Sequence, residues 1–357
     1  MHCLKNIRHS RIPNDVIRLY LKIYPFIGRN REMLQTVSRD FDVLSRQTVW
    51  LDSYFLSEHF GLTIIDARKR HLLTKDGRAR NKDERFLKNI KAALARVHER
   101  NEAFNLQSIE IYDLLKFLYR DVEPVQALQW AKSEKKKTRK KDLLASTHPT
   151  KREALDALID AFKSVVKSEE YEISYVIVNF YIDFYNLAPF TRHNDVVALM
   201  VLYVLLTQSG YDSLHLSSFF ELLHKRKAVF EKHVFDASHN WSEGLADVMG
   251  LHRFILEILL ESYQSLHELL RNYTFDKQTN KSDYVENTIN KLGDVFSKEE
   301  IRREHPTISE STINRTLKRM RDEKRIRPLG KGRSAKWMKL YPSRNKPSIY
   351  EQIKLKV

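Results

Sequence analysis

Residues 186–211 read NLAPFTRHNDVVALMVLYVLLTQSGY. The stretch Val196 to Leu206 is apolar without interruption, Asp195 stands directly before it, and Pro189 with a short polar segment precedes that. A helix is predicted over 195–208, with a tight loop ahead of it and a second apolar helix over 172–187 further upstream. Helices that are apolar on every side sit inside a protein, surrounded by other helices. The apolar run is too short to span a bilayer, so no membrane passage is expected.

The rest of the chain agrees with a helical body. Only 9 Gly and 9 Pro occur in 357 residues, and 42% of the residues are hydrophobic. This supplies enough apolar surface for two or three cores and disfavours glycine-rich dinucleotide folds, β-sandwiches and low-complexity tails. Further helices are predicted over 83–102, 106–119, 151–166, 216–224, 226–237 and 245–273. A long helix over 30–58 follows from the steps between Leu34, Val37, Phe41, Leu44, Thr48, Leu51 and Phe55. The next step of that seam lands on Glu58, a carboxylate aimed at the interior.

The N-terminal MHCLKNIRHSRIP lacks the apolar centre of a signal peptide, and Cys3 is the single cysteine. A cytoplasmic location is expected. No paired histidine spacing with an adjacent Glu suggests a metal site, and none is expected. Between 119 and 150 the helical pattern lapses, and the basic cluster Lys132 to Lys141 reads as an exposed flap or hairpin. That cluster either touches a nucleic-acid backbone or is a solvated loop.

The net charge is +16. Residues 281–345 hold 17 Lys/Arg against 9 Asp/Glu, a net +8 and half the excess in under a fifth of the chain. A polyanionic partner is the expectation that follows, with solubility as the alternative. Within this segment Ser297-Lys298-Glu299-Glu300 is a capping box opening a short helix that ends at His305-Pro306. Ser309 then caps a longer helix to about Glu323, with Ile313, Leu317 and Met320 on its inner face. Ser311, Asn314, Arg315, Lys318 and Arg319 stand on or beside the outer one. Two β-like stretches, 325–329 and 335–340, flank a Gly-Lys-Gly-Arg turn at 330–333 that carries Lys331 and Arg333.

Helix, helix, basic helix, strand, glycine-bounded basic tip, strand: this order resembles the winged helix-turn-helix family. The resemblance implies that Ser311, Asn314, Arg315, Lys318, Arg319, Lys331 and Arg333 contact DNA. A module for protein contacts is the alternative.

The loop of the opening segment, with its flanking helices, resembles the Fic family over roughly residues 30–275. There the loop reads His-Pro-Phe-x-acid-Gly-Asn-Gly-Arg-x-x-Arg, and the family moves a nucleotide monophosphate from ATP to a protein hydroxyl. The resemblance implies a histidine base, an acidic Mg²⁺ ligand, glycines that let backbone N–H groups cradle phosphate, and arginines for the outer phosphates. In this chain those positions hold Ala188, Arg192, His193 with Asp195, and Val196 with Leu199. Pro189, Phe190 and Asn194 are kept. Every chemical role is touched, so the expected protein is a catalytically degenerate relative, a pseudoenzyme that needs no cofactor. ATP and Mg²⁺ enter only if the loop works as a divergent nucleotidyltransferase through Arg192, His193 and Asn194. Ser57-Glu58-His59-Phe60-Gly61-Leu62-Thr63 also resembles the family's inhibitory helix. Its glutamate pairs with the second loop arginine in active relatives, but that position is Leu199 here, so Glu58 is expected to meet another cation such as Arg192, or solvent.

The expected architecture is mainly α: an extension (1–29), a degenerate Fic-like helical domain with a short β-hairpin flap (30–275), a linker (276–283), a winged helix-turn-helix domain (284–345) and a tail (346–357). DNA is the expected partner, with a protein partner or a homodimer as further possibilities. The functional reading is transcriptional regulation or autoregulation, and the alternatives are an AMP transferase and an interaction scaffold.

Overall fold

The computed structural model describes residues 3–9, 11–37, 41–75, 77–99, 104–132, 150–278, 281–306, 308–330 and 335–340. Fifteen helices and three short strands occur among them. They are α1 (Cys3–Asn6), α2 (Asn14–Leu34), α3 (Phe41–His59), α4 (Asp66–Lys75), α5 (Lys82–His98), α6 (Ser108–Leu118), α7 (Lys151–Ser168), α8 (Ile173–Leu187), α9 (Asn194–Gln208), α10 (Phe219–Lys225), α11 (Lys227–Ser238), α12 (Met249–Gln278), α13 (Lys281–Lys291), β1 (Val295–Ser297), α14 (Lys298–Glu304), α15 (Glu310–Asp322), β2 (Ile326–Pro328) and β3 (Lys336–Lys339). The chain divides into two compact units, Met1–Gln35 with Leu44–Glu268, and Thr36–Val43 with Leu269–Val357.

The first unit is built around α8 and α9. Every residue from Ser174 to Phe184 in α8 and from Val196 to Thr207 in α9 is buried, so both helices are wrapped on all sides. The sequence sets their ends through capping: Glu172 accepts the N–H groups of Ser174 and Tyr175, Thr150 and Glu153 form a capping box on α7, and Ser218 caps α10. The N-terminal residues do not stand apart as an extension. The Asp183 carboxylate on α8 accepts the backbone N–H groups of Cys3 (3.0 Å) and Leu4 (3.1 Å), and Val16 and Ile23 of α2 lie in the core.

The helix expected over 30–58 is two helices. A 3₁₀ turn, Gln35–Val37, closes α2, and α3 starts at Phe41. Burial periodicity records which side chains face inward and is blind to a break between them. Along α3 the buried stripe also drifts: Thr48, Val49, Asp52, Ser53, Leu56 and Ser57 are buried, whereas Leu51 and Phe55 are half-buried. A seam extrapolated at 3.5 residues per turn falls behind a 3.6-residue helix by about 20° per heptad. Glu58 therefore sits on the flank of the stripe.

Two further differences have local causes. Helix α4 was not anticipated, because DARKRHLLTK is rich in charge and its buried residues, Lys69, Leu72 and Leu73, include only two apolar ones. The segment read as a linker over 276–283 is largely helical, since α12 runs to Gln278 and α13 begins at Lys281; it contains no Gly or Pro to stop a helix. The rest of the expected hairpin flap falls on 133–149, outside the described residues.

In the second unit β1, β3 and β2 form an antiparallel sheet in that spatial order, with Phe296 opposite Trp337 and Pro328 opposite Trp337. Val285, Ile289, Phe296, Ile301, Ile313, Leu317 and Met320 make its core. The Ser297/Glu300 capping box opens α14, and Ser309 caps α15 through the N–H of Thr312. Strand β1, three residues long, carried no readable period.

Candidate functional site

The α8–α9 loop is held by its own backbone and by the segment that follows α6. Ala188 (φ 44°) ends α8 and His193 (φ 60°) precedes α9, both in the left-handed region. Neither is glycine, so each carries a backbone cost of order 1 kcal/mol that its surroundings must offset. At His193 the offset is visible. Its ring stacks on Tyr119 at 3.7 Å and 15°, and its Nε2 lies 2.9 Å from a Glu123 oxygen.

Asn194 folds back onto the loop. Its side-chain oxygen accepts the N–H of Phe190 at 2.9 Å, and its amide donates to the Phe190 carbonyl at 2.8 Å. Residues 129–131 then lie antiparallel against Pro189-Phe190-Thr191: Ala131 N–H donates to the Pro189 carbonyl and Thr191 N–H to the Gln129 carbonyl, each at 2.9 Å. The buried Phe190 ring packs against Trp130 and Tyr112.

Arg192 is exposed, and its guanidinium is 3.5 Å from Glu123. Asp195 is an exposed acidic residue in the first turn of α9, where the helix end favours negative charge. Val196 and Leu199 are 3% and 2% exposed, in the core. Tyr119 is pushed well above the ordinary tyrosine range, first by burial and then by the Asp195 and Glu123 carboxylates. Glu123 thus meets both loop side chains, Arg192 and His193, that sequence reading singled out. It was missed because its polar surroundings gave no period to place it by.

Glu58 does not meet Arg192. It forms an ion pair with Lys69 of α4, whose side chain is only 2% exposed and lies 5.2 Å over the Tyr54 ring. The expectation of a compensating cation holds, but the cation comes from a helix that was not foreseen. His193 is half-buried and paired with Glu123.

A second polar group lies deep in the first unit. Asp52, fully buried, accepts from Ser218 Oγ (2.7 Å), Phe220 N–H (3.0 Å) and Tyr203 OH (3.1 Å). The Tyr203 oxygen is 2.6 Å from His98 Nε2, and His98 Nδ1 is 2.9 Å from Ser45 Oγ. Burial pushes Asp52 up to about 7 against the pull of these donors. Burial, then the neighbouring His215, pushes His98 down to about 3. Both are enclosed, so this group braces α3, α5, α9 and α10 and offers no open face to a substrate.

On α15 of the second unit Ser311, Asn314, Arg315, Lys318 and Arg319 are all exposed, and Ile313, Leu317 and Met320 are buried beneath them. They differ in what they hold. Arg319 is tied to Glu286, which also pairs with Arg325, whereas among the described residues Arg315 and Lys318 make no ion pair. Lys331 and Arg333 lie outside the described residues. Among those described, no three His, Cys, Asp or Glu side chains are grouped to hold a metal ion, and no helix is long and apolar enough to cross a membrane.

No family model matches the sequence, and no curated protein is similar to it. Solved structures are similar in fold. A Fic family protein from Desulfovibrio desulfuricans matches with a TM-score of 0.52 at 13% identity, over 94% of this chain and 99% of that one. A Fic domain containing signaling protein from Bacteroides thetaiotaomicron matches with a TM-score of 0.52 at 13% identity, over 72% of this chain and 98% of that one. The chain has a Fic-like, mainly helical fold.

Proposed function

We propose that this is a Fic-like protein without AMP-transfer activity, whose C-terminal unit is a winged helix that binds duplex DNA in a regulatory role. The observation that carries the reading is the outer face of α15, where Arg315 and Lys318 are exposed and make no ion pair among the described residues, above a buried inner face that holds Ile313, Leu317 and Met320. The element order α13-β1-α14-α15-β2-β3, with β3 central in the sheet, supports the winged-helix reading. Arg315, Lys318, Ser311 and Asn314 are the candidates for the groove, and Lys331 and Arg333 for phosphates beside it. Arg319, spent on Glu286, serves to fix the helix on its own unit.

The loop supports the absence of transfer chemistry. Ala188 has no proton-accepting group, Val196 and Leu199 place methyl groups where the family's arginines would stand, and Asp195 sets negative charge at the helix end that phosphate would occupy. Arg192 and His193, the residues an altered mechanism would use, are both turned onto Glu123.

Binding of the full chain to enriched and random duplexes across a salt series tests the DNA reading. Replacing Lys331 and Arg333 together should weaken binding to all sequences alike and lower the salt slope by about 0.9 for each lost phosphate contact. No affinity at low salt would give the unit to protein contacts instead. Incubation with α-labelled ATP tests the other half: no stoichiometric label should appear on the chain or on added protein, including after Ala188→His, because the phosphate cradle is still missing.

A further inference from the structure

The cations on and beside α15 fall into two sets, and one carboxylate of α13 divides them. Glu286, with its side chain 19% exposed, binds Arg319 through one oxygen at 2.5 Å and Arg325, just ahead of β2, through the other. Glu323 stands 3.9 Å from Arg319 and 3.4 Å from Arg325, so two carboxylates neutralise two guanidinium groups. Arg315 and Lys318 have no such carboxylate among the described residues. We infer that Glu286 is a positioning residue that limits how much of α15 touches a duplex: it withholds Arg319 from the phosphate backbone, and its loss makes the chain bind DNA of any sequence more tightly. This inference rests on the DNA reading and adds to it the residue that sets the footprint.

Arg319 is within reach of the same backbone as the unpaired cations. It follows Arg315 by four residues, one turn further along the helix, where Cβ atoms lie about 5–6 Å apart. A phosphate backbone that Arg315 or Lys318 meets is therefore within the length of the Arg319 side chain, which is 43% exposed. What keeps that side chain away is a carboxylate on a fixed neighbour. Helix α13 is locked to α15 by the shared core of Val285, Ile289, Ile313 and Leu317, and Ser282 Oγ lies 2.9 Å from Thr316 Oγ1 one turn before the ion pair. Glu286 is mostly enclosed, so salt screens its pairs less than it screens a contact to an exposed phosphate. An arginine leaving it for DNA also strands one carboxylate oxygen. Removing the carboxylate should therefore release a contact, and phosphate contacts add affinity without reading sequence.

The test is a salt titration of the full chain on a random-sequence duplex. Glu286→Gln should steepen the fall of log affinity with log salt by about 0.9, the mark of one added phosphate contact, and tighten binding at low salt. Arg319→Gln should leave the slope of the parent unchanged, because that charge is already spent, and should cancel the gain when combined with Glu286→Gln. A mere change of net charge predicts otherwise: Arg319→Gln would then flatten the slope as much as Glu286→Gln steepens it, which would overturn the inference. Thermal melts check that each variant folds; a purely structural role would lower the melting temperature and leave the slope alone, and would overturn it too. Should Glu286→Gln fail to fold, Arg319→Gln decides by itself, an unchanged slope supporting the inference and a slope flatter by about 0.9 refuting it. A parent that binds no duplex at low salt removes the DNA reading and this inference with it, whereas a parent that binds with a slope indifferent to Glu286→Gln overturns this inference alone.

Discussion

The α8–α9 loop and the outer face of α15 are both short, polar and charged, yet they spend their charge in opposite ways. In the loop each of these polar side chains has a partner inside the molecule: Asn194 on the Phe190 backbone, His193 and Arg192 on Glu123, Thr191 on residues 127 and 129. On α15 the cations Arg315 and Lys318 meet no carboxylate among the described residues. Groups satisfied internally contribute stability, and groups left unsatisfied at a surface are available to a partner. A motif in the sequence shows where residues stand, whereas its use depends on which of them are already paired.

The strongest way to break this contrast is Phe190→Ala. The ring is 2% exposed and packs between Trp130, Tyr112 and Phe184, so its loss should cost about 3–5 kcal/mol in urea unfolding. A cost under 1 kcal/mol would mean that the loop is not a structural strap. On α15 the same chemistry should run the other way. Arg315→Ala should leave stability within about 0.5 kcal/mol while costing about 1–3 kcal/mol of binding to a preferred duplex, measured by titration on that duplex and a random one.

The third test concerns the buried Asp52. With its carboxyl raised to about 7, the folded chain keeps a proton that the unfolded chain releases near pH 4. Stability from this group is therefore present below the unfolded value and is lost as pH rises towards 7. Asp52→Asn lacks that loss, so the stability difference between variant and parent should move towards the variant by about 1.4 kcal/mol per pH unit across this window. His98 titrates with the opposite sign in both proteins and cancels in the difference. Unfolding curves at pH 5 and pH 7 that shift in parallel would refute the assignment.

The smallest effect separates backbone from side chain. His193→Gly and His193→Ala both lose the stack and the Glu123 contact, but only glycine accepts φ 60° freely. The glycine variant should be more stable than the alanine variant by about 1 kcal/mol. At Lys318, inside a regular helix, the order should reverse by a similar amount. Paired thermal melts of the four variants measure both.

The helical architecture was legible because α5, α7 and α15 each carry a clear period and a capping residue, and because α8 and α9 are long apolar runs. The break after Leu34 and the whole of α4 were not, since a burial seam is continuous across a gap and Lys69 gives no hint in sequence that it will be buried. The loop itself was legible along the chain, as a short polar break between two apolar helices. Its partners were not, because Glu123 and Tyr119 lie some seventy residues away and only the folded chain brings them to His193. The Asp52–Tyr203–His98 group was hidden for a related reason: each member sits in a stretch read for its apolar neighbours.

Helix α9 has a consequence for how the chain is made. Twelve successive residues, Val196 to Thr207, are buried, and their apolar side chains share one core cluster with those of α10 and α12, which follow them in sequence. During synthesis from the N-terminus, α9 leaves the ribosome before those helices exist, so its apolar surface stays exposed while roughly sixty more residues are added. Slow elongation over 208–268 should favour aggregation or capture by chaperones. A chain truncated after α9 should be insoluble even though every residue of the loop is present.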